Sequence, residues 1–189
     1  MSSELTKRIT TSFGLVLWLS LTFFYNYILI ISLIIISSIA WIEFSALISK
    51  IYKKNNFKSN FLKLIIKAIS LVYIFIFSGL IFKGVTQVDP YSKINMLYLF
   101  SICISSDIGG FFFGKTFKGK KLTKISPNKT ISGSIGSFTL SLLLAPVFYI
   151  LYNDTINIIS LILISIIVSF FCQLGDLFIS YLKRKAKVK

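Results

Sequence analysis

The chain has 189 residues, 21 of them basic and six acidic, giving a net charge of +15 with no histidine. It is 55% apolar with a mean hydropathy of +0.82, a level no soluble domain sustains along its whole length, so the composition implies an all-α polytopic membrane protein. Charge held in short connections excludes a nucleic-acid-binding face. The lack of imidazole excludes Ser-His-Asp and Cys-His nucleophiles and histidine metal sites.

Six apolar segments follow in order, roughly 10–25, 27–49, 64–82, 93–113, 131–151 and 156–178. About 20 residues cross a hydrocarbon core, so the last five are long enough. The first is short, a tilted or partial span turning at Asn26. Its charged start (Glu4, Lys7, Arg8) resembles a signal peptide, but no small-residue cleavage site follows, and a retained helix is expected. All of the 21 basic residues except Lys83 and Lys93 fall at the N-terminus, in alternate connections, or after the last segment. The positive-inside rule then predicts six helices with both termini cytoplasmic. The expected organisation is one transmembrane domain, a helical hairpin over 10–60 followed by motif-bearing helices over 61–189. Cys103 and Cys172 lie in apolar stretches and read as small packing residues rather than a disulfide. Asp89-Pro90 and Asn153-Asp154 read as turns on the outer face.

Three carboxylates interrupt the apolar segments: Glu43, Asp107 and Asp176. Acids at membrane depth are costly and face a cation, a watery cavity or a protein interior. Glu43 reads as one half of a structural ion pair, with Lys50 or with a cation on another helix. Asp107 and Asp176 lie near the predicted cytoplasmic ends of helices that run the same way. Asp176, Ser180 and Lys183 share a helix face at i, i+4 and i+7, with Arg184 beside it. For Lys183 and Arg184 alone, snorkelling to lipid headgroups is the competing reading.

The second candidate region runs from Asp107-Ile108-Gly109-Gly110 through Gly114-Lys115 to Ser126-Pro127-Asn128-Lys129-Thr130 and Gly133. Ser126-Pro127 can open a turn into the fifth helix, whose free amides would join Lys129 and Thr130 in a phosphate cradle. Walker-type glycine-lysine spacing is absent. Equally, the loop can be a basic segment drawn to anionic lipid, with Gly133 and Gly136 serving helix packing. Both readings stay open on the residues alone.

These segments resemble the phosphatidate cytidylyltransferase (CDP-diacylglycerol synthase) family. Residues Asp107 to Lys115 are similar to its Asp-Thr-x-Ala-Tyr-x-x-Gly-Arg/Lys block. Ser126-Pro127-Asn128-Lys129-Thr130 matches Ser-Pro-x-Lys-Thr, and Gln173-Leu174-Gly175-Asp176-Leu177 matches Gln-x-Gly-Asp-Leu. Ser180-Tyr181-Leu182-Lys183-Arg184 resembles the opening of the C-terminal signature, and Trp41-Ile42-Glu43-Phe44 faintly resembles a Trp-Glu-Trp helix. Ser132 stands where the family has a glutamate. The signature continues, in the family, past the position of Lys189 into an acidic cluster and a histidine, so a C-terminally truncated chain with little activity of its own is expected.

The resemblance implies transfer of CMP from CTP to phosphatidate, giving CDP-diacylglycerol and pyrophosphate with Mg²⁺ as the divalent cation. It implies catalytic roles for Asp107, Asp176 and Lys129, with Asp176 and Asp107 on the metal. Ser126, Lys129 and Thr130 would meet CTP phosphates, and Lys183 and Arg184 the lipid phosphate. The partners implied are CTP, phosphatidate and membrane lipid, with a homodimer allowed and no nucleic acid. The site would face the cytoplasm from a bacterial plasma membrane. Three alternatives stay open: an inactive membrane protein of the same family, an isoprenoid-alcohol kinase using CTP, and a small ion transporter lined by Glu43, Asp107 and Asp176. The topology is testable by itself. Cysteines placed at Lys118 and Asn153 should be labelled from opposite membrane faces, and labelling of both from one face would refute it.

Overall fold

The computed structural model describes residues 3–53, 56–89, 91–123, 126, 129–152 and 155–188. Pro127 and Asn128 of the expected cradle, the Asn153-Asp154 turn, Pro90 and Lys189 lie outside the described residues. The described fold is all-α: α1 Ser3–Phe24, α2 Asn26–Ile51, α3 Phe57–Thr86, α4 Ser92–Phe117, α5 Ile131–Leu142, α6 Leu144–Leu151 and α7 Ile158–Lys185. Asn26–Ile51, Phe57–Thr86, Ser92–Phe117, Ile131–Leu151 and Ile158–Lys185 are each long and apolar enough to cross a membrane, and Thr10–Phe24 is a shorter apolar helix. The protein is therefore an all-α polytopic membrane protein, with the first segment short as expected.

Local chemistry explains where helices begin and break. Thr130 caps α5 by accepting from the Gly133 N–H at 3.1 Å, and Asn157 caps α7 by accepting from the Ile159 N–H at 3.0 Å. The expected fifth span is two helices meeting at Leu143. Pro146 lies in the first turn of α6; it has no N–H to offer the Leu142 carbonyl and its ring crowds that oxygen, so the α5 ladder stops there. α3 starts seven residues before its apolar run because Lys58 and Lys63 are good helix formers that hydropathy discounts.

The chain divides into two compact units, the first Met1–Ile48 with Lys54–Val88 and the second Ser49–Lys53 with Asp89–Lys189. In the first, the chain turns back at Tyr25 far enough for Trp18 Nε1 to donate to Ser32 Oγ at 2.9 Å. α2 and α3 are joined by a Ser37–Ser78 hydroxyl bond of 2.7 Å and by Trp41 Nε1 donating to the Lys67 carbonyl at 3.4 Å. Glu43 is exposed on α2. The expected ion pair at this position does not form: no cation among the described residues pairs with it.

The second unit packs α4 to α7 around Tyr98, Ile102, Ala145, Phe148, Tyr152 and Leu161. Polar groups hold its helices together. Tyr98 OH donates to the Leu161 carbonyl at 2.9 Å and meets Ser165 Oγ at 2.6 Å, and Ser106 and Ser169 hydroxyls bond at 3.0 Å. Lipid offers these serines nothing better, so buried pairing favours association of the helices. Cys103 and Cys172 are free thiols in contact at 3.3 Å across α4 and α7.

α4 and α5 approach backbone to backbone. A Cβ on Gly109 would sit 2.3 Å from the Gly136 carbonyl oxygen, and one on Gly133 would sit 2.7 Å from the Gly110 oxygen. Gly133 and Gly136 thus serve packing. We expect Gly136→Ala to destabilise the protein by about 1–3 kcal/mol through overpacking. Gly14→Ala, with nothing within 4 Å of the added carbon, should be neutral or slightly stabilising. Thermal unfolding in detergent compares the two.

Candidate active site

The close approach of α4 and α5 decides where charged side chains meet. Asp107 lies on α4 two residues before the tightest contact, at Gly109, and Thr130 begins α5. Between them the chain makes a small clasp. Lys118 closes α4 in the left-handed region at φ 44°, and the Gly119 N–H then donates to Ser132 Oγ at 3.3 Å. Leu122 N–H donates to the Lys129 carbonyl at 2.8 Å and Ile131 N–H to the Lys120 carbonyl at 2.9 Å, an antiparallel pairing around Lys121 and Thr130. The clasp carries Lys129 across to α7, where its ammonium donates to Asp176 Oδ2 at 2.8 Å.

Asp107, Lys129, Thr130 and Asp176 line one cavity of about 180 Å³. Asp107 is within electrostatic reach of both the Asp176 carboxylate and the Lys129 ammonium. The pair is open to its surroundings, since the Lys129 side chain is 28% and the Asp176 side chain 60% exposed. Such a pair is a poor structural rivet and an accessible set of charges.

The other predicted residues are placed differently. Ser126 closes the clasp, its carbonyl accepting from Lys129 N–H at 3.1 Å and its own N–H donating to Thr123 Oγ1 at 3.3 Å; it does not line the cavity. Lys183 and Arg184 are exposed in the last turns of α7, also outside the lining. The free amides expected at the start of α5 are largely taken. Ile131 N–H bonds Lys120, Gly133 N–H bonds Thr130 Oγ1, and Ser134 N–H bonds the Thr130 carbonyl. Side chains, rather than that helix end, supply most of the polar lining.

The cavity also contains residues to which sequence reasoning assigned no role. Ser134 Oγ donates to Gln173 Oε1, and Ser137 Oγ donates to the Ser106 carbonyl at 2.7 Å. Gln173 opens the Gln-x-Gly-Asp-Leu match and precedes Asp176 by three residues, one turn along the same face; those were its available signals. Ser132 ties the clasp to α5 through Gly119 and lies 3.1 Å from Thr130 Oγ1. Among the described residues no group of three or more metal-ligating acids, cysteines or histidines occurs.

Comparison with known proteins bears on this arrangement. The model of the cytidylyltransferase family matches residues 2–189. The chain belongs to the cytidylyltransferase family. Over 160 residues it is 35% identical to a phosphatidate cytidylyltransferase of Staphylococcus haemolyticus, covering 84% of this chain and 59% of that protein. The Bacillus subtilis phosphatidate cytidylyltransferase is 38% identical over 118 residues, 60% of this chain and 44% of the relative. That of Rickettsia felis is 46% identical over 108 residues, 53% and 47% respectively. The chain thus spans about half the length of the curated relatives it matches. No solved structure matches it.

Because the Lys129–Asp176 pair is exposed, its loss should barely affect folding. We expect Lys129→Gln to change unfolding stability by no more than about 1 kcal/mol. Thermal or denaturant unfolding of the purified variant reads this directly.

Proposed function

We propose that the chain works as a CTP:phosphatidate cytidylyltransferase, moving CMP from CTP onto phosphatidate and releasing pyrophosphate. The observation that carries this reading is the convergence of Asp107, Lys129 and Asp176 on one cavity in a chain of this family. The reaction forms a bond between a lipid phosphate oxygen and the α-phosphorus of CTP and breaks the bond to the β-phosphate oxygen. Such transfers depend on positioning and on neutralising crowded negative charge.

Lys129 fits the second task. Held by the clasp, it offers three donors to phosphate oxygens once it exchanges Asp176 for the nucleotide. Asp107 and Asp176 are hard oxygen donors, and two carboxylates completed by substrate phosphates are a usual Mg²⁺ set, so the residues present fit that ion. When bound, Mg²⁺ supplies charge neutralisation at the phosphates and at the leaving pyrophosphate. Thr130 shapes the wall beside Lys129, and Gln173, its Oε1 accepting from Ser134 and its amide nitrogen donating to Ser169 Oγ at 3.5 Å, lines the same space. Ser126 supports Lys129 through the turn it closes. Lys183 and Arg184, past Asp176 on α7, are placed to draw a lipid phosphate by charge at the membrane boundary. This reading sets the cavity on the cytoplasmic side of a bacterial plasma membrane, where CTP arrives from water and phosphatidate from the bilayer. A homodimer is compatible with it.

Equilibrium binding of labelled CTP to the purified chain with Mg²⁺ tests the proposal. Losing a charge-assisted bond to phosphate should weaken binding by about tenfold or more in Lys129→Gln. Asp176→Asn should remove the Mg²⁺ dependence. Unchanged CTP retention in both variants would overturn the assignment.

A further inference from the structure

The first unit carries a binding feature of its own. Two hollows lie along α2 and α3, and they adjoin, since both are lined by Trp41 and Leu71. One hollow, about 460 Å³, is lined by Asn60, Lys63, Leu64 and Lys67. The other, about 600 Å³, is lined by apolar residues such as Ile34, Ile74, Phe75 and Phe82, with the bonded Ser37–Ser78 pair across it.

The chemistry of the two ends differs sharply. Lys63 and Lys67 are one turn apart on one face of α3 and half-buried, and no carboxylate lines the hollow they share. Neither lysine has an ion-pair partner among the described residues. Trp41 marks the boundary between the ends, its ring edge fixed by the bond to the Lys67 carbonyl. Tryptophan beside lysine is the usual composition of the headgroup level of a membrane. From Lys67 to Ser78 the helix rises about 16 Å, close to half of the ~30 Å hydrocarbon core. A groove with two cations at headgroup depth and one leaflet of apolar wall has the form of a phospholipid.

We propose that the α2–α3 groove binds one anionic glycerophospholipid lengthwise, phosphate on Lys63 and Lys67, an acyl chain along Leu71, Ile74 and Phe75. The site rests on the first unit alone and is independent of the proposed transfer reaction. General attraction of lysines to a negative surface would hold lipids without selecting an acyl path. The groove adds a defined path past Trp41, and that difference is measurable.

Trp18 and Trp41 are the two tryptophans, so Trp18→Phe leaves Trp41 as the sole reporter in the groove. The full chain is reconstituted in phosphatidylcholine vesicles containing either dibromo-acyl phosphatidylglycerol or dibromo-acyl phosphatidylcholine at equal fraction. Phosphatidylglycerol is chosen because it is not a substrate of the proposed reaction. We expect stronger quenching by the anionic lipid, with the preference falling about fivefold for each lysine replaced in Lys63→Gln and Lys67→Gln. Lys63→Arg with Lys67→Arg should retain it. Equal quenching by both lipids would reduce the groove to ordinary lipid contact and overturn the proposal. Quenching by neither would mean that protein fills the groove, with the same consequence. Loss of the preference in millimolar inorganic phosphate would reassign the basic end to a soluble anion.

Discussion

The arrangement of charge in the second unit depends on the contact between α4 and α5, where Gly109 meets Gly136 and Gly133 meets Gly110 with no room for a Cβ. Apolar side chains give transmembrane helices little reason to prefer each other over lipid, so close backbone packing and interhelical hydrogen bonds do the joining. Those glycines bring the start of α5 against the turn of α4 that carries Asp107. The clasp between the two helices is therefore short and closes on itself through Leu122, Lys129, Lys120 and Ile131. Lys129 is presented to α7 because the helices on either side of its loop cannot separate.

Serines extend the same logic along the bundle. Ser106 links α4 to α7 through Ser169, while its carbonyl accepts from Ser137 on α5. One residue, next to Asp107, thus ties three helices together at the level of the cavity. Tyr98 repeats the α4–α7 link two turns away through Leu161 and Ser165. These hydroxyls are buried, and none of the buried side-chain polar atoms described lacks a partner. A satisfied polar network favours one helix register, and a register fixed at Ser106 also fixes where Asp107 points relative to α7.

The spans were legible because hydropathy over 20 residues is insensitive to detail: α2, α4 and α7 lie within a few residues of their expected ends or extend beyond them. What escaped was local backbone chemistry. Pro146 divides the fifth span through one missing donor and one ring, a signal diluted by a run of otherwise apolar residues. α3 begins among lysines that a hydropathy window discounts. At the cavity, Asp107, Lys129 and Asp176 stood out as charges in or beside apolar sequence. Ser134 and Ser137 are neutral and common, and they acquire meaning only once α4, α5 and α7 are assembled. Whether Gly133 served a ligand or a helix depended on a neighbour 23 residues earlier, Gly110. Sequence spacing alone does not supply that contact.

The chain holds 21 cations and six acids, and this imbalance joins the two proposed sites. Lys129–Asp176 is an ion pair within the protein. Most of the remaining cations have no acid within the protein to meet, so their natural counter-charges lie outside it, in phosphates of lipid or nucleotide. Lys129 differs in having an internal partner that is itself required elsewhere. On the proposed reading, Asp176 holds Lys129 in place until a polyanion arrives, and the incoming phosphates then take the ammonium and free the carboxylate for a cation. The exchange conserves charge balance at each stage. Lys63 and Lys67 have no such partner among the described residues. On that ground the α2–α3 groove would hold its lipid steadily, while the cavity on α4, α5 and α7 would bind and release.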